Sequence, residues 1–345
     1  MHHIVFTQNK IIKKKESIMP VKGKHLLHYV PHGINPKTFF PVEKENSLLK
    51  SKRKSIEDIT GKKYDFVVFY NSRNIKRKHT SNIILAYRMF CDNLTKEQAS
   101  KCLLLMHTEV KMDAGTDLIA VKEAMCPDYD IIFSPNKILP EEMNLLYNIA
   151  DVTVNASSNE GFGLSTAESL MAGTPIIITM TGGLQDQSGQ TDDDGNPVKF
   201  TKEFGSNSCK KYSNVGPWVY PVWPVCRDVQ GSVPTPYIFD DMTRWEDFAE
   251  GMMYWYLMGD KKRTECGKKG REWALGDGNI NSKHMCDEFI KAMDYTLENF
   301  EPVKQFGLYT ANDYVGHTMP DNCMGFEIPK IDKESLKQKS ESLII

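Results

Sequence analysis

The sequence predicts an α/β fold: a Rossmann-like parallel sheet with helices on both faces. Short apolar runs recur at Tyr64–Tyr70, Cys102–Met106, Ile131–Phe133, Ala150–Asn155 and Ile176–Thr179. Between them lie stretches with apolar residues at helical spacing, the alternation expected of βαβ units. The segment Ala150–Gly183 shows one such unit without interruption: strand, glycine-punctuated loop, helix, strand. Ligands of open parallel sheets bind outside the carboxyl ends of the strands, so the loop Ser157–Gly163 is expected at a binding crevice.

Each element has a local reason. Residues 1–30 read as two short strands, His3–Thr7 and Leu26–Val30, around a basic stretch from Asn9 to Ser17. Glu43–Lys63 is charged and reads as helix plus loop, with Lys50, Lys52, Arg53 and Lys54 on a solvated face. After the first strand comes a cationic loop, Asn71–Lys78. The next helix is expected to take Thr80 or Ser81 as N-cap and to turn Ile84, Leu85, Ala86, Met89 and Phe90 inward. Thr116–Cys126 and Pro140–Ile149 are further helices; Glu141 and Glu142 suit the positive end of the latter. Leu164–Ala172 is a helix with Leu164, Ala167, Leu170 and Met171 at helical spacing, stopped by Gly173.

The segment 186–236 is read as an insertion. Its Asp192–Asn196 run lacks the rest of a calcium loop and reads as a turn. Gly216–Pro236, with five prolines plus Trp218 and Trp223, reads as an ordered loop or hairpin. Asp240–Gly259 reads as a helix whose Trp245, Phe248, Met252, Met253, Tyr256 and Leu257 form a core stripe. Helices follow at Lys261–Ala274 and Ser282–Phe300, and 330–345 has a disordered composition.

Composition narrows the functional classes. The 345 residues carry a net charge of −2, with 40% hydrophobic and 26% charged residues. That is the profile of a globular chain with no bulk attraction to nucleic acid, so no nucleic-acid partner is expected. The eight cysteines form no C-x-x-C pair, which argues against a metal cluster or disulfide framework and for free thiols in a reducing compartment. No apolar run approaches the ~20 residues of a membrane helix. Lys10 and Lys13–Lys15 interrupt any signal-peptide core. A cytoplasmic location is expected, with peripheral membrane association left open.

The loop and helix after the Ala150–Asn155 strand carry two carboxylates, Glu160 and Glu168. Gly161 and Gly163 let backbone approach a ligand, and the free N–H groups of the helix start favour an anion. Two glutamates eight residues apart would, alone, describe an ordinary solvated loop.

The whole string EGFGLSTAESLMAGTP resembles the E-x7-E signature of GT-B glycosyltransferases of the retaining family 4 type (glycosyl transferases group 1). Glu160, Phe162, Gly163, Leu164, Glu168, Ala172, Gly173 and Pro175 stand where that signature places them. The resemblance covers most of residues 29–295 and is weakest in 186–236. It implies a nucleoside-diphosphate sugar as co-substrate, with no metal and no further cofactor. Glu160 would position the donor sugar, and Arg73 and Lys78 would grip the diphosphate; these three form the implied catalytic set. Gly161, Phe162, Gly163, Leu164, Ser165 and Glu168 would bind the donor, Glu168 at the ribose, with the base near Ser134–Ile138. Two positions depart from the family's basic loop: Ser72 and His79 stand where glycine is usual. The 186–236 segment would cover donor sugar or acceptor.

Pro31–Pro41 resembles the family's interdomain linker, which a complete N-terminal domain normally precedes. The implied organisation is a remnant of that domain plus linker over 1–41, a nucleotide-sugar-binding domain over 42–300, and an extension over 301–345. A separate chain supplying the N-terminal domain, or self-association, is the implied partner; the acceptor, whether sugar, lipid or protein, is unidentified. The alternative is a non-catalytic nucleotide-sugar-binding subunit or one half of a split enzyme.

Overall fold

Side chains alternate across a strand, so a strand buried on both sides needs apolar residues throughout. Phe66–Asn71 (β1) and Cys102–His107 (β2) meet this condition, with every residue but the last buried. The computed structural model describes residues 30–198, 206–208, 211–232 and 235–299. The expectations for 1–29 and 300–345 lie outside the described residues. The chain divides into two units. One holds Tyr29–Ile290; of the other only 291–299 are described, as the end of a helix.

Ile131–Phe133 (β3), Val152–Asn155 (β4), Ile176–Thr179 (β5) and Val219–Val222 (β6) complete a six-stranded sheet of order β3-β2-β1-β4-β5-β6, parallel throughout. Each face has its own core. Val67, Phe69, Leu103, Leu105, Ile176 and Ile178 pack with α1 (Ser47–Thr60), α5 (Pro140–Ile149) and α6 (Leu164–Met171). Phe66, Val68, Tyr70, Leu104, Val152, Val154 and Ile177 pack with α2 (Thr80–Asp92), α4 (Leu118–Met125) and α7 (Trp245–Met258). The remaining helices are the short α3 (Lys96–Ala99), α8 (Asp260–Leu275) and α9 (Ser282–Asn299). Residues 30–41 belong to the same unit: Ile34 exchanges backbone hydrogen bonds with Ile280 and Ser282, and Phe39 is buried beside the Tyr147 ring.

The segment 186–236 differs from its reading as an insertion. Its Val219–Val222 is the sixth strand of the main sheet, and Pro221 is tolerated there because β6 is the edge strand. Cys226–Ser232 (β7) and Thr235–Met242 (β8) pair as an antiparallel hairpin. Asp240–Met242 is therefore strand, and the helix expected from Asp240 begins at Trp245. Its buried stripe is Phe248, Met252 and Trp255, whereas Leu257 lies 73% exposed on the far side of the helix. Of the apolar residues at helical spacing in α6, Ala167, Leu170 and Met171 are buried, whereas Leu164, its first residue, is exposed and faces the crevice described below. The Asp192 turn forms as expected: its carboxylate accepts from the N–H groups of Asp194 (3.0 Å) and Asn196 (2.8 Å), which hold its pKa below the ordinary value.

Candidate functional site

In this strand order the chain winds outward from β1 in one direction and from β4 in the other, so the loops after these two strands diverge and leave a crevice between them. It is about 630 Å³ and is lined by Asn71 at the end of β1, by Ser72, Arg73, Ile75, Arg77 and Lys78 after it, and by Glu160–Ser165 with Glu168 after β4. His107 at the end of β2, Thr108 and Glu109 after it, and Pro135 and Lys137 after β3 form the rest of the wall together with His32. All the residues the sequence singled out meet in this one place: Glu160, Arg73, Lys78, Glu168, Gly161, Phe162, Gly163, Leu164 and Ser165.

The β1 loop tightens into a 3-10 turn over Lys76–Lys78 and leaves it through His79 at φ 50°. That left-handed conformation explains why glycine would be the easier residue there; a side chain costs ~1–2 kcal/mol in strain. His79, rather than Thr80 or Ser81, occupies the N-cap of α2, with no side-chain cap. Thr80 instead shares a hydrogen bond with the buried Tyr70 hydroxyl at 2.8 Å.

Within this loop the cations separate by environment. Arg73 is exposed, and its guanidinium has no hydrogen-bond or ion-pair partner among the described residues. Lys78 is buried and ion-paired with Glu160. Burial lowers the Lys78 pKa, and the Glu160 carboxylate opposes that shift. Arg77, which the sequence reading passed over, approaches Glu160 at 3.3 Å and donates to the Asn159 carbonyl at 2.6 Å. The Ser158 N–H donates to the Arg77 carbonyl at 2.8 Å. The two loops are thus bound to each other, and Glu160 is the point where they meet.

Two glycines position the acidic loop. Gly163 opens α6 at φ 90°, and a Cβ there would meet Leu184, Thr166 and Gln187. The Gln187 amide donates to the Phe162 and Gly163 carbonyls at 2.6 and 2.9 Å. No side chain caps α6, whose first residues, Leu164 and Ser165, line the crevice. Gly182, at φ 50°, lies so close to Glu160 that a Cβ would stand 2.1 Å from its carbonyl oxygen, which accepts the Gly183 N–H at 2.8 Å. Phe162 is buried, its ring 5.0 Å from that of His32.

Glu168 lines the same crevice from the second turn of α6. The Tyr147 hydroxyl donates to its carboxylate at 2.8 Å, and Asn71 donates to the same hydroxyl oxygen at 2.8 Å. Burial pushes the Glu168 carboxyl up to about 7, with the Tyr147 hydrogen bond opposing. Neither Tyr147 nor Asn71 was expected at the site. The available signals were a polar residue ending an apolar strand and a tyrosine on the inward side of α5.

The β7–β8 hairpin is anchored to this site through Asp241, which is 1% exposed. Its carboxylate accepts from Thr181 Oγ1 (2.7 Å), the Ser208 N–H (2.9 Å) and Arg227 Nε (3.2 Å). Its own N–H donates to the Ser158 carbonyl at 2.9 Å.

Comparisons with known proteins bear on the family and the fold. Residues 51–202 match the family model described as Glycosyl transferases group 1. Mannosylfructose-phosphate synthase of Agrobacterium fabrum is 27% identical over 173 residues, 48% of this chain and 34% of that protein. Sucrose-phosphate synthase of Thermosynechococcus elongatus superposes with a TM-score of 0.52 at 18% identity, covering 79% of this chain and 53% of that one. Anabaena HepE, solved in complex with UDP and glucose, superposes with a TM-score of 0.52 at 12% identity, covering 78% and 57%. The fold is that of GT-B glycosyltransferase C-terminal domains, and the matches support the group 1 family. The chain spans about a third of the curated relative's length and little over half of each of these structures.

Proposed function

We propose that this chain carries the donor site of a retaining family 4 glycosyltransferase, which transfers a sugar from a nucleoside-diphosphate sugar to an acceptor. The observation that carries the reading is the meeting, in one crevice at the switch point of the sheet, of a cationic loop and the two glutamates of the E-x7-E string. The crevice is divided as such a donor requires. Arg73, Lys78 and the start of α6 offer positive charge and N–H donors to a diphosphate. Glu168 offers a carboxylate to a ribose diol.

The chemistry follows from these roles. Charge develops on the leaving diphosphate as the bond to the anomeric carbon breaks, and fixed donors aimed at it lower the barrier by ~3–4 kcal/mol each. Fixed cations supply this stabilisation without a metal. Glu160, held by Arg77, Lys78 and the Gly182–Gly183 turn, orients the donor sugar's hydroxyls so that the anomeric carbon faces the acceptor. Lys78, which pairs with Glu160, shares its charge with the donor's phosphate.

Calorimetry with UDP and GDP, followed by a radiolabelled-donor assay for release or transfer of sugar, tests the reading. Binding of one nucleotide, weakened by Glu168→Ala, is the expected result. Absence of binding by both nucleotides and by their sugar derivatives would reject it.

A further inference from the structure

Residues 30–41 are pinned to the domain along their length. The Ile34 N–H donates to the Ile280 carbonyl at 2.7 Å, and the Ser282 N–H donates to the Ile34 carbonyl at 2.9 Å. Gly33 permits this approach, since a Cβ there would stand 2.4 Å from the Asn281 carbonyl oxygen. Further along, the Phe40 N–H donates to Asn144 on α5 at 3.0 Å. Pro31 is buried, while His32 beside it is exposed in the wall of the crevice. Its ring lies 5.0 Å from the Phe162 ring, at 41° to it. Phe162 immediately precedes Gly163, the N-cap of α6. Two independent constraints, the pinned backbone and the Phe162 ring, therefore hold this imidazole at the start of α6.

The crevice wall holds two imidazoles. His107 shares a hydrogen bond with Ser134 at 3.3 Å. The His32 ring nitrogens have no hydrogen-bond partner among the described residues. The charged groups around the crevice are the cations Arg73, Arg77, Lys78 and Lys137 and the carboxyls of Glu109, Glu160 and Glu168. Glu160 is engaged by Lys78 and Arg77, and burial favours the neutral form of Glu168. Burial also lowers the His32 pKa, so its ring is uncharged at neutral pH. A diphosphate reverses this balance. It brings negative charge and acceptor oxygens to the start of α6, and both favour an imidazolium.

We propose that His32 is a further ligand-binding residue of this crevice, which takes up a proton from solvent as a diphosphate binds and donates a hydrogen bond to a phosphate oxygen. The proposal rests on the nucleotide-sugar reading for the identity of the ligand. The contact ties the pinned 30–41 segment to the ligand, in addition to the loops after β1 and β4. It also opposes Glu168 in sign. Glu168 must lose a proton to accept from a ribose diol, whereas His32 must gain one.

The test uses the full chain and two variants. His32→Phe keeps a ring on Phe162 and loses the N–H groups; His32→Gln keeps a donor that cannot be charged. Thermal melts verify that each is folded. Calorimetry measures UDP, GDP, inorganic pyrophosphate, uridine and guanosine at about pH 6 and about pH 8. Repeating the titrations in buffers of different ionisation enthalpy counts the protons taken up.

The affinity gained through His32 is present below its pKa in the complex and is lost as pH rises through that value. Wild type should therefore bind UDP or GDP about tenfold more tightly than His32→Phe near pH 6, with a smaller advantage near pH 8. The ratio cancels the titration of Glu168 and His107, which both proteins share. Wild type should also take up more of a proton on binding than either variant, and nucleoside affinity should not change. Equal nucleotide affinities of wild type and His32→Phe at both pH values overturn the contact. So does a loss that is the same at both, or one shared equally by nucleotide and nucleoside. Failure of the wild type to bind either nucleotide rejects the nucleotide-sugar reading separately. The pyrophosphate ratio then decides His32, and absence of pyrophosphate binding as well overturns its role.

Discussion

The Tyr147 hydroxyl donates to the Glu168 carboxylate across 2.8 Å while accepting from Asn71 at the same distance. Strand β1, helix α5 and helix α6 are thereby joined at the one carboxylate whose burial holds it near neutrality. Tyr147→Phe removes the donor and leaves Asn71 only the Met143 sulfur at 3.5 Å. The Glu168 pKa should rise further, since the lost hydrogen bond favoured the charged form. Nucleotide affinity at pH 7 should fall about tenfold. The pH at which affinity recovers should shift upward, and calorimetry across pH 6 to 8.5 reads both changes.

Glu168 also makes folding stability depend on pH. Its carboxyl titrates at about 7 in the folded protein against an ordinary value of 4.5. Between these values the folded protein binds more protons than the unfolded chain, so this group's contribution to stability falls as pH rises through that window and is level above it. Glu168→Gln cannot ionise and can still accept from Tyr147. Its melting temperature relative to wild type should therefore climb from pH 4.5 to 7, even as nucleotide affinity drops. A melting difference independent of pH would show that Glu168 is not strained by burial.

Arg73 and Lys78 should separate on mutation, although both serve the diphosphate in the proposed site. Arg73→Ala removes an exposed, unpartnered cation, so stability should stay within ~0.5 kcal/mol while UDP or GDP affinity falls. Lys78→Ala leaves Glu160, whose side chain is 13% exposed, with only the outer Arg77 guanidinium at 3.3 Å. That should cost ~1–3 kcal/mol of stability in addition to nucleotide affinity. Melts and calorimetry on the two variants check the split.

The contrast shows how far the sequence reaches. Phe66–Asn71 and Cys102–His107 could be read directly because both faces of a central strand demand unbroken apolar residues. The glutamates and glycines of the acidic loop were legible because one local string holds them. Val219–Val222 was not, since an edge strand of four residues with Pro221 inside it carries none of those constraints. Arg77, Tyr147 and Asn71 escaped for another reason. Their partners lie 83, 21 and 76 residues away, and no local pattern encodes a side-chain contact across such spans. The Lys78–Glu160 pair shows the same limit: each residue was found, but their pairing was not.

Gly182 gives the sharpest test of how the acidic loop is held. Its backbone sits at φ 50° and its N–H donates to the Ser206 carbonyl at 2.7 Å. A methyl group there would stand 2.1 Å from the Glu160 carbonyl oxygen, a backbone atom that can yield only if the whole loop shifts. Gly182→Ala should therefore displace Glu160 while leaving Arg73 and Glu168 in place. Bare nucleotide should still bind, but turnover of the nucleotide sugar should fall about a hundredfold, the cost of a misplacement of about an ångström at a reacting centre. Gly195→Ala is the matched control: its φ is 83°, yet nothing lies within 4 Å of the added carbon, so it should lose ~1 kcal/mol of stability and no activity. If Gly182→Ala turned over the donor as fast as Gly195→Ala, the Gly182–Gly183 turn would not be what positions Glu160.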